Sequence, residues 1–118
     1  MSEASRRSRN NRAKGHQFER DISNELKGVG YPEARRQLEY HASDAKGVDI
    51  QNTGRYKVQC KNTKKYIPPR TLKDIECDRV LGEIPLLVSK SQEGETVAIL
   101  YWKDLKRMIK EINSGKKK

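Results

Sequence analysis

The stretch GVDIQNTGRYKVQCKN, residues 47–62, reads as two short strands around a turn. Val48 and Ile50 alternate with Asp49 and Gln51, and Tyr56, Val58 and Cys60 alternate with Lys57, Gln59 and Lys61. Side chains directly opposite each other in a hairpin share a face. Burying both apolar sets together therefore sets Ile50 opposite Val58 and Val48 opposite Cys60. In that register Asn52 faces Tyr56, and Thr53, Gly54 and Arg55 form a short loop with a glycine available for positive φ. Asp49 then stands opposite Gln59 on the other face, with Lys61 one step along, so an acid, an amide and a lysine converge.

The chain around this hairpin is one small domain of 118 residues, with 33% apolar and 36% charged residues and a formal net charge of +10. That balance points to a polyanionic partner, nucleic acid ahead of an anionic membrane surface. No apolar run approaches the ~20 residues of a membrane span, and the N-terminal sequence lacks a signal-peptide apolar core. Cys60 and Cys77 form no CxxC, and His16 and His41 offer no zinc spacing, so the expectation is two free thiols in a reducing cytoplasm.

Residues 1–14 hold five basic residues against one acid and no apolar periodicity, which reads as a flexible basic arm. Residues 15–113 form the folded domain, and residues 114–118 a short basic tail. The first helix is expected over residues 15–29, with Phe18, Ile22, Leu26 and Val29 at helical spacing and Gly28 and Gly30 as its stop. Glu19 borders that stripe, either snorkelling or aimed over the sheet. ARRQLEYH reads as a strand, ASDAKG as a loop, and PPRTLKDIECDRVLG as a second helix opened by proline and closed by glycine. IPLLVSK and TVAILYW are apolar strands, and KDLKRMIKEI is a last helix with Leu105, Met108, Ile109 and Ile112 on one face. The expected class is α/β in the order αβββαββα, a central mixed sheet flanked by helices.

An aspartate carboxylate and an amide oxygen are hard ligands suited to Mg²⁺, with Mn²⁺ as an alternative ion. A bound divalent ion polarises a phosphodiester and generates hydroxide. A neighbouring lysine orients the water or offsets developing negative charge. Glu19, at the edge of the buried stripe, could supply a third oxygen ligand or hold a metal-bound water. Glu19, Asp49, Gln59 and Lys61 are thus the candidate catalytic set, the first three as metal ligands, and the reaction they suit is phosphodiester hydrolysis.

With Glu19 on the helix, Asp49 on a strand and Gln59-Cys60-Lys61 on the next, the layout resembles the PD-(D/E)XK nuclease superfamily. Helix-first order and GYPEARR followed by a short loop before GVDI look most like the archaeal-type Holliday junction resolvases. The resemblance covers residues 15–112. It implies a restriction-endonuclease-like core and a Mg²⁺-dependent homodimeric endonuclease of DNA recombination and repair that resolves four-way junctions by paired symmetric nicks. Arg35 and Arg36 match the region where the family carries a basic residue before a mobile loop. Ser43 and Lys46 in that loop, Lys64, Lys65 and Arg70 after the third strand, and Arg6, Arg7, Arg9 and Arg12 in the arm are further DNA-contact candidates. Gln59 departs from the pattern, since an acid usually stands there, and the site loses one negative charge. Restriction-type enzymes of the Mrr group carry a similar Q-x-K.

Two other readings stay beside the resolvase. One is a restriction- or repair-type nuclease of the same fold, and the other a basic nucleic-acid-binding protein that cuts nothing. Tyr101 and Trp102 read as core or dimer contact, and apolar faces of the second and third helices are candidates for the dimer surface.

Overall fold

The computed structural model of the protein describes residues 3–37, 46–62, 67–90 and 93–116. Helix α1 (Glu3–Gly28) is followed by strands β1 (Arg35–Arg36), β2 (Ile50–Gln51) and β3 (Tyr56–Lys61), a 3₁₀ segment (Pro69–Asp74), strands β4 (Ile84–Lys90) and β5 (Thr96–Ile99), and helix α2 (Trp102–Lys116). The strands form one mixed sheet in the order β1-β2-β3-β4-β5, antiparallel except for the parallel β3–β4 pair. The class is therefore α/β. Among the described residues no helix is long and apolar enough to cross a membrane.

Two apolar clusters lie on opposite faces of the sheet. On the α1 side Phe18 and Ile22 pack with Ala34, Ile50, Val58, Cys60 and Val88. On the far side Val48, Leu72, Ile75 and Leu87 pack together, with Ile67, Ile99 and Tyr101 against them. The assignment follows strand alternation: in the parallel register Cys60 pairs with Val88, and Gln59 with Leu87.

The hairpin departs from the expected register by one residue. Ile50 does pair with Val58, but the Asp49 N–H donates to that same Val58 carbonyl at 2.8 Å. Two residues of one strand thus face one of the other, which is a β-bulge. The extra residue inverts the alternation upstream. Val48 does not lie opposite Cys60 beside Ile50 but drops into the far-side cluster, and Asp49 does not stand opposite Gln59. The turn lies where expected but is one residue longer: Asn52, with φ +66°, leaves the strand and joins Thr53, Gly54 and Arg55 in the connection, where Tyr56 N–H donates to the Thr53 carbonyl and Gly54 has φ +61°.

Other boundaries also move. Residues 3–14 continue α1 rather than standing apart from it, because this segment holds good helix formers and no proline or glycine before Gly15. Val29 falls outside the buried stripe and is 75% exposed, since α1 ends at Gly28. The described part of the first strand is Arg35–Arg36, and residues 38–45 lie outside the described ones. The expected second helix is one 3₁₀ segment that stops at Asp74, with Ile75 extended (φ −88°, ψ 116°). Tertiary bonds outcompete helix propagation there. Glu76 N–H donates to the Lys46 carbonyl, and the Glu76 carboxylate accepts from Lys46 N–H at 2.9 Å. Leu72 and Ile75 can then both face Val48. This crossover is what a parallel strand pair requires.

Helix α2 is longer than expected and held by charge as much as by packing. Asp104, fully buried, accepts from Arg79 at 2.6 Å, and Glu111 accepts from Arg55 at 2.7 Å. Its apolar face is half-uncovered, with Ile109 43%, Ile112 58% and Trp102 64% exposed. Tyr101 is core-facing and Trp102 is not.

Gly47 closes the loop that leads into the bulge. It has φ +75°, and a Cβ there would strike the Asp74 carbonyl. Gly94 has φ +88° but open space around it. Gly94→Ala should cost about 1 kcal/mol, the left-handed backbone alone. Gly47→Ala should cost at least about 2 kcal/mol, because backbone must also move. Urea unfolding midpoints measure both, and equal losses would show that the Gly47–Asp74 contact constrains nothing.

Candidate functional site

The bulge creates the site. In a regular ladder the Cys60 N–H would donate to a carbonyl of the neighbouring strand. Here it donates to the Asp49 side chain, with Oδ2 at 2.8 Å. The carboxylate therefore lies between β2 and β3, nearly within the sheet, and parts the strands where it sits. Ile50, Val58 and Cys60, its neighbours on the two strands, belong to the α1-side apolar cluster.

Glu19 approaches from α1. Phe18 and Ile22, which flank it on the helix, are buried against the sheet and fix the helix at this height. Glu19 senses the charge of Asp49. Burial first, and then the charge of Asp49, push Glu19 up to about 7 from the ordinary carboxylate range, against the pull of Arg36. Asp49 is also raised by burial, opposed by the Cys60 N–H and the Lys61 charge. The Cys60 thiol is pushed up by burial and by the charges of both acids. Three side chains from three elements thus register one pocket of negative charge.

Arg36 is the partner that sequence reasoning placed elsewhere. Expected to contact phosphate, it stands 3.7 Å from Glu19 Oε2, with four-fifths of each side chain covered. Its position follows from the β1–β2 ladder, where Arg36 pairs with Ile50. That pairing was the available signal: an arginine opposite the residue after Asp49 must lie near whatever Asp49 approaches.

Lys61 ends β3 and lies within electrostatic reach of Asp49. Gln59 leaves β3 on the face opposite Cys60, level with Leu87. Its Oε1 is buried and has no hydrogen-bond partner among the described residues. Glu19 and Asp49 therefore come together at the strand gap, with Lys61 within electrostatic reach of Asp49, whereas Gln59 lies on the face away from α1.

The donors that do come together, Glu19 and Asp49, are hard ligands whose shared negative charge a divalent cation would offset. Among the described residues no group of three His, Cys, Asp or Glu side chains could hold a metal. Gln59, expected as the third ligand, leaves β3 on the face away from α1 and so does not join Glu19. Glu19 and Asp49 are the two residues that would hold the ion.

Of the expected phosphate contacts, Arg35, Lys46 and Arg70 are exposed. Arg6, Arg7, Arg9 and Arg12 lie along the first turns of α1. Ser43, Lys64 and Lys65 lie outside the described residues. No protein-family model, no curated protein and no solved structure matches the chain.

Burying Glu19 makes stability depend on pH with a defined sign. Its folded pKa lies above the unfolded value of 4.5, so the native state binds more protons between pH 4.5 and 7 and loses stability as pH rises through that window. Glu19→Gln should remove this loss, leaving the variant more stable than the parent at pH 7.5 but not at pH 4. Unfolding midpoints across that range measure it, and parallel profiles for the two proteins would mean that Glu19 is not buried as described.

Proposed function

We propose that the chain is a metal-dependent DNA endonuclease of restriction-endonuclease-like architecture, acting on four-way junctions by paired symmetric nicks. The observation that carries the reading is the Glu19–Asp49 pair: two raised carboxylates, one held in the strand gap by a main-chain N–H, with Lys61 beside them. Arg36 pairs with Glu19, and Lys61 lies toward Asp49.

In this reading Mg²⁺ or Mn²⁺ polarises the phosphodiester and lowers the pKa of a bound water. The protein's own groups do the rest. Asp49 presents one oxygen, because the Cys60 N–H holds the other in place and fixes the carboxylate plane. Glu19 completes the anionic wall and needs its proton removed to serve, which neighbouring positive charge favours. Lys61 orients the attacking water or offsets the charge that develops on the phosphoryl oxygens. Arg36 holds Glu19 in position and would be placed to meet a phosphate if Glu19 were engaged by the ion instead.

The net charge of +10 and the exposed Arg35, Lys46 and Arg70 supply sequence-independent backbone contacts. A homodimer would put two such centres on one junction, and exposed Val80 and Leu81 offer apolar surface for it. A second reading, nucleic-acid binding without cleavage, is favoured by one observation: Gln59 leaves the set with two carboxylates, one of them already paired with Arg36.

Incubation with Mg²⁺ and either a four-way junction or a linear duplex of the same sequence separates these readings. The junction should be cut in preference, in two symmetric strands. Asp49→Asn should lower cleavage by about three orders of magnitude or more, since a ligand of the reacting centre is lost, while junction binding stays within about twofold. Equal cutting of both substrates would remove the junction-resolving assignment in favour of a restriction- or repair-type nuclease, and no cutting at all would leave the binding protein.

A further inference from the structure

Helix α2 has three distinct sides. Asp104 and Glu111, seven residues apart and so on one side of the helix, are bound by Arg79 and Arg55. Leu105, Met108, Ile109 and Ile112 form the apolar side. The third side carries Lys103, Lys106, Arg107 and Lys110, at spacings of three, four and seven residues from the first, which places all four within about 100° of arc. All four are exposed, and among the described residues none of them forms an ion pair with a carboxylate. Both acids of the helix are engaged by arginines from elsewhere in the fold. The positive charge of the third side is therefore only partly compensated by the helix that carries it, through Glu111 beside Arg107.

We propose that Lys103, Lys106, Arg107 and Lys110 form a second phosphate-backbone contact for nucleic acid, remote from the Glu19–Asp49 centre. The location follows from the fold. Glu111 is clamped to Arg55, the residue just before β3, and Lys61 ends β3. Six residues of strand separate those points by ~20 Å, so a duplex touching both spans about six base pairs at 3.4 Å each. The two Arg–carboxylate clamps hold the helix in a fixed orientation, so the ridge is presented without being ordered on binding. The inference rests on the nucleic-acid reading above but not on cleavage.

An anionic membrane is the competing partner for a basic helix with apolar residues. Interfacial binding needs the apolar residues to meet the surface with the cations beside them. Here the exposed Trp102, Ile109 and Ile112 centre roughly 130° around the axis from the middle of the ridge, and the clamps prevent the helix from rolling. The geometry favours a rod-like polyanion met by the ridge alone.

The test is equilibrium binding to a linear 20-bp duplex, without divalent metal, over a range of salt concentrations. Replacing Lys103, Lys106, Arg107 and Lys110 by Gln should reduce the slope of log K against log[salt] by roughly 3 to 4, since each phosphate contact contributes about 0.9. A variant of equal charge, with Gln at the exposed Lys14, Lys27, Lys73 and Lys90, should reduce it by less than about 1. Arg at Lys103, Lys106 and Lys110 should keep the parental slope, which separates loss of charge from loss of helix. Equal reductions in the two Gln variants, or no reduction in the first, would overturn the proposal. So would loss of binding to phosphatidylserine vesicles by the ridge variant with DNA binding intact, which would assign the ridge to a membrane. A parent chain that binds no duplex at any salt would instead sink the nucleic-acid reading beneath it.

Discussion

A single hydrogen bond, from the Cys60 main-chain N–H to Asp49 Oδ2 at 2.8 Å, organises this molecule. It substitutes a carboxylate for a carbonyl in the β2–β3 ladder. The substitution requires a bulge, and the bulge carries Val48 across the sheet into the far-side core while leaving Asp49 in the gap. A charged oxygen is a stronger acceptor than a neutral one, which offsets part of the cost of lodging a carboxylate between β2 and β3. The remainder of that cost appears as the raised pKa of Asp49. The same gap brings the acid within range of Glu19, so the local solution to a strand-pairing irregularity is also what concentrates negative charge.

Charge around that gap is distributed asymmetrically. Arg36 pairs with Glu19 at 3.7 Å and Lys61 moderates Asp49. With Gln59 in place of an acid, the cluster carries two negative charges rather than three. Bulk charge of the opposite sign is spread elsewhere, along α1, on Arg35, Lys46 and Arg70, and on the outward side of α2. Separation of a small anionic centre from a broad cationic surface is the arrangement that a phosphate backbone and a divalent ion would both require.

Much of this was legible in the residues. The Ile50–Val58 pairing follows from period-two alternation, and the mixed sheet from the order of apolar runs. The approach of Glu19 to Asp49 follows from a helix whose Phe18 and Ile22 must cover the hairpin. The bulge was not legible, because GVDI alternates cleanly. What decides it is long-range: the Gly47 backbone against Asp74, and the paired bonds between Lys46 and Glu76. The same bonds explain why PPRTLKDIECDRVLG, with a proline start and a glycine stop, does not become a full helix. Its apolar residues are needed at Val48, not along a helical stripe. Arg36 read as a phosphate contact because an arginine's partner is set by tertiary pairing, and α2 read as an apolar face because its carboxylate clamps join residues 25 and 56 positions apart.

The central claim is that Glu19 and Asp49 share one buried, cation-ready gap, and carboxyl carbon NMR titration of the two side chains addresses it directly. The account expects Glu19 to titrate near 7 and Asp49 above its ordinary range, each curve shifting when the other acid is replaced by its amide. Added Mg²⁺ should move both downward together, as an opposite charge does. Two independent titrations at ordinary carboxylate pKa values, unmoved by Mg²⁺, would contradict it.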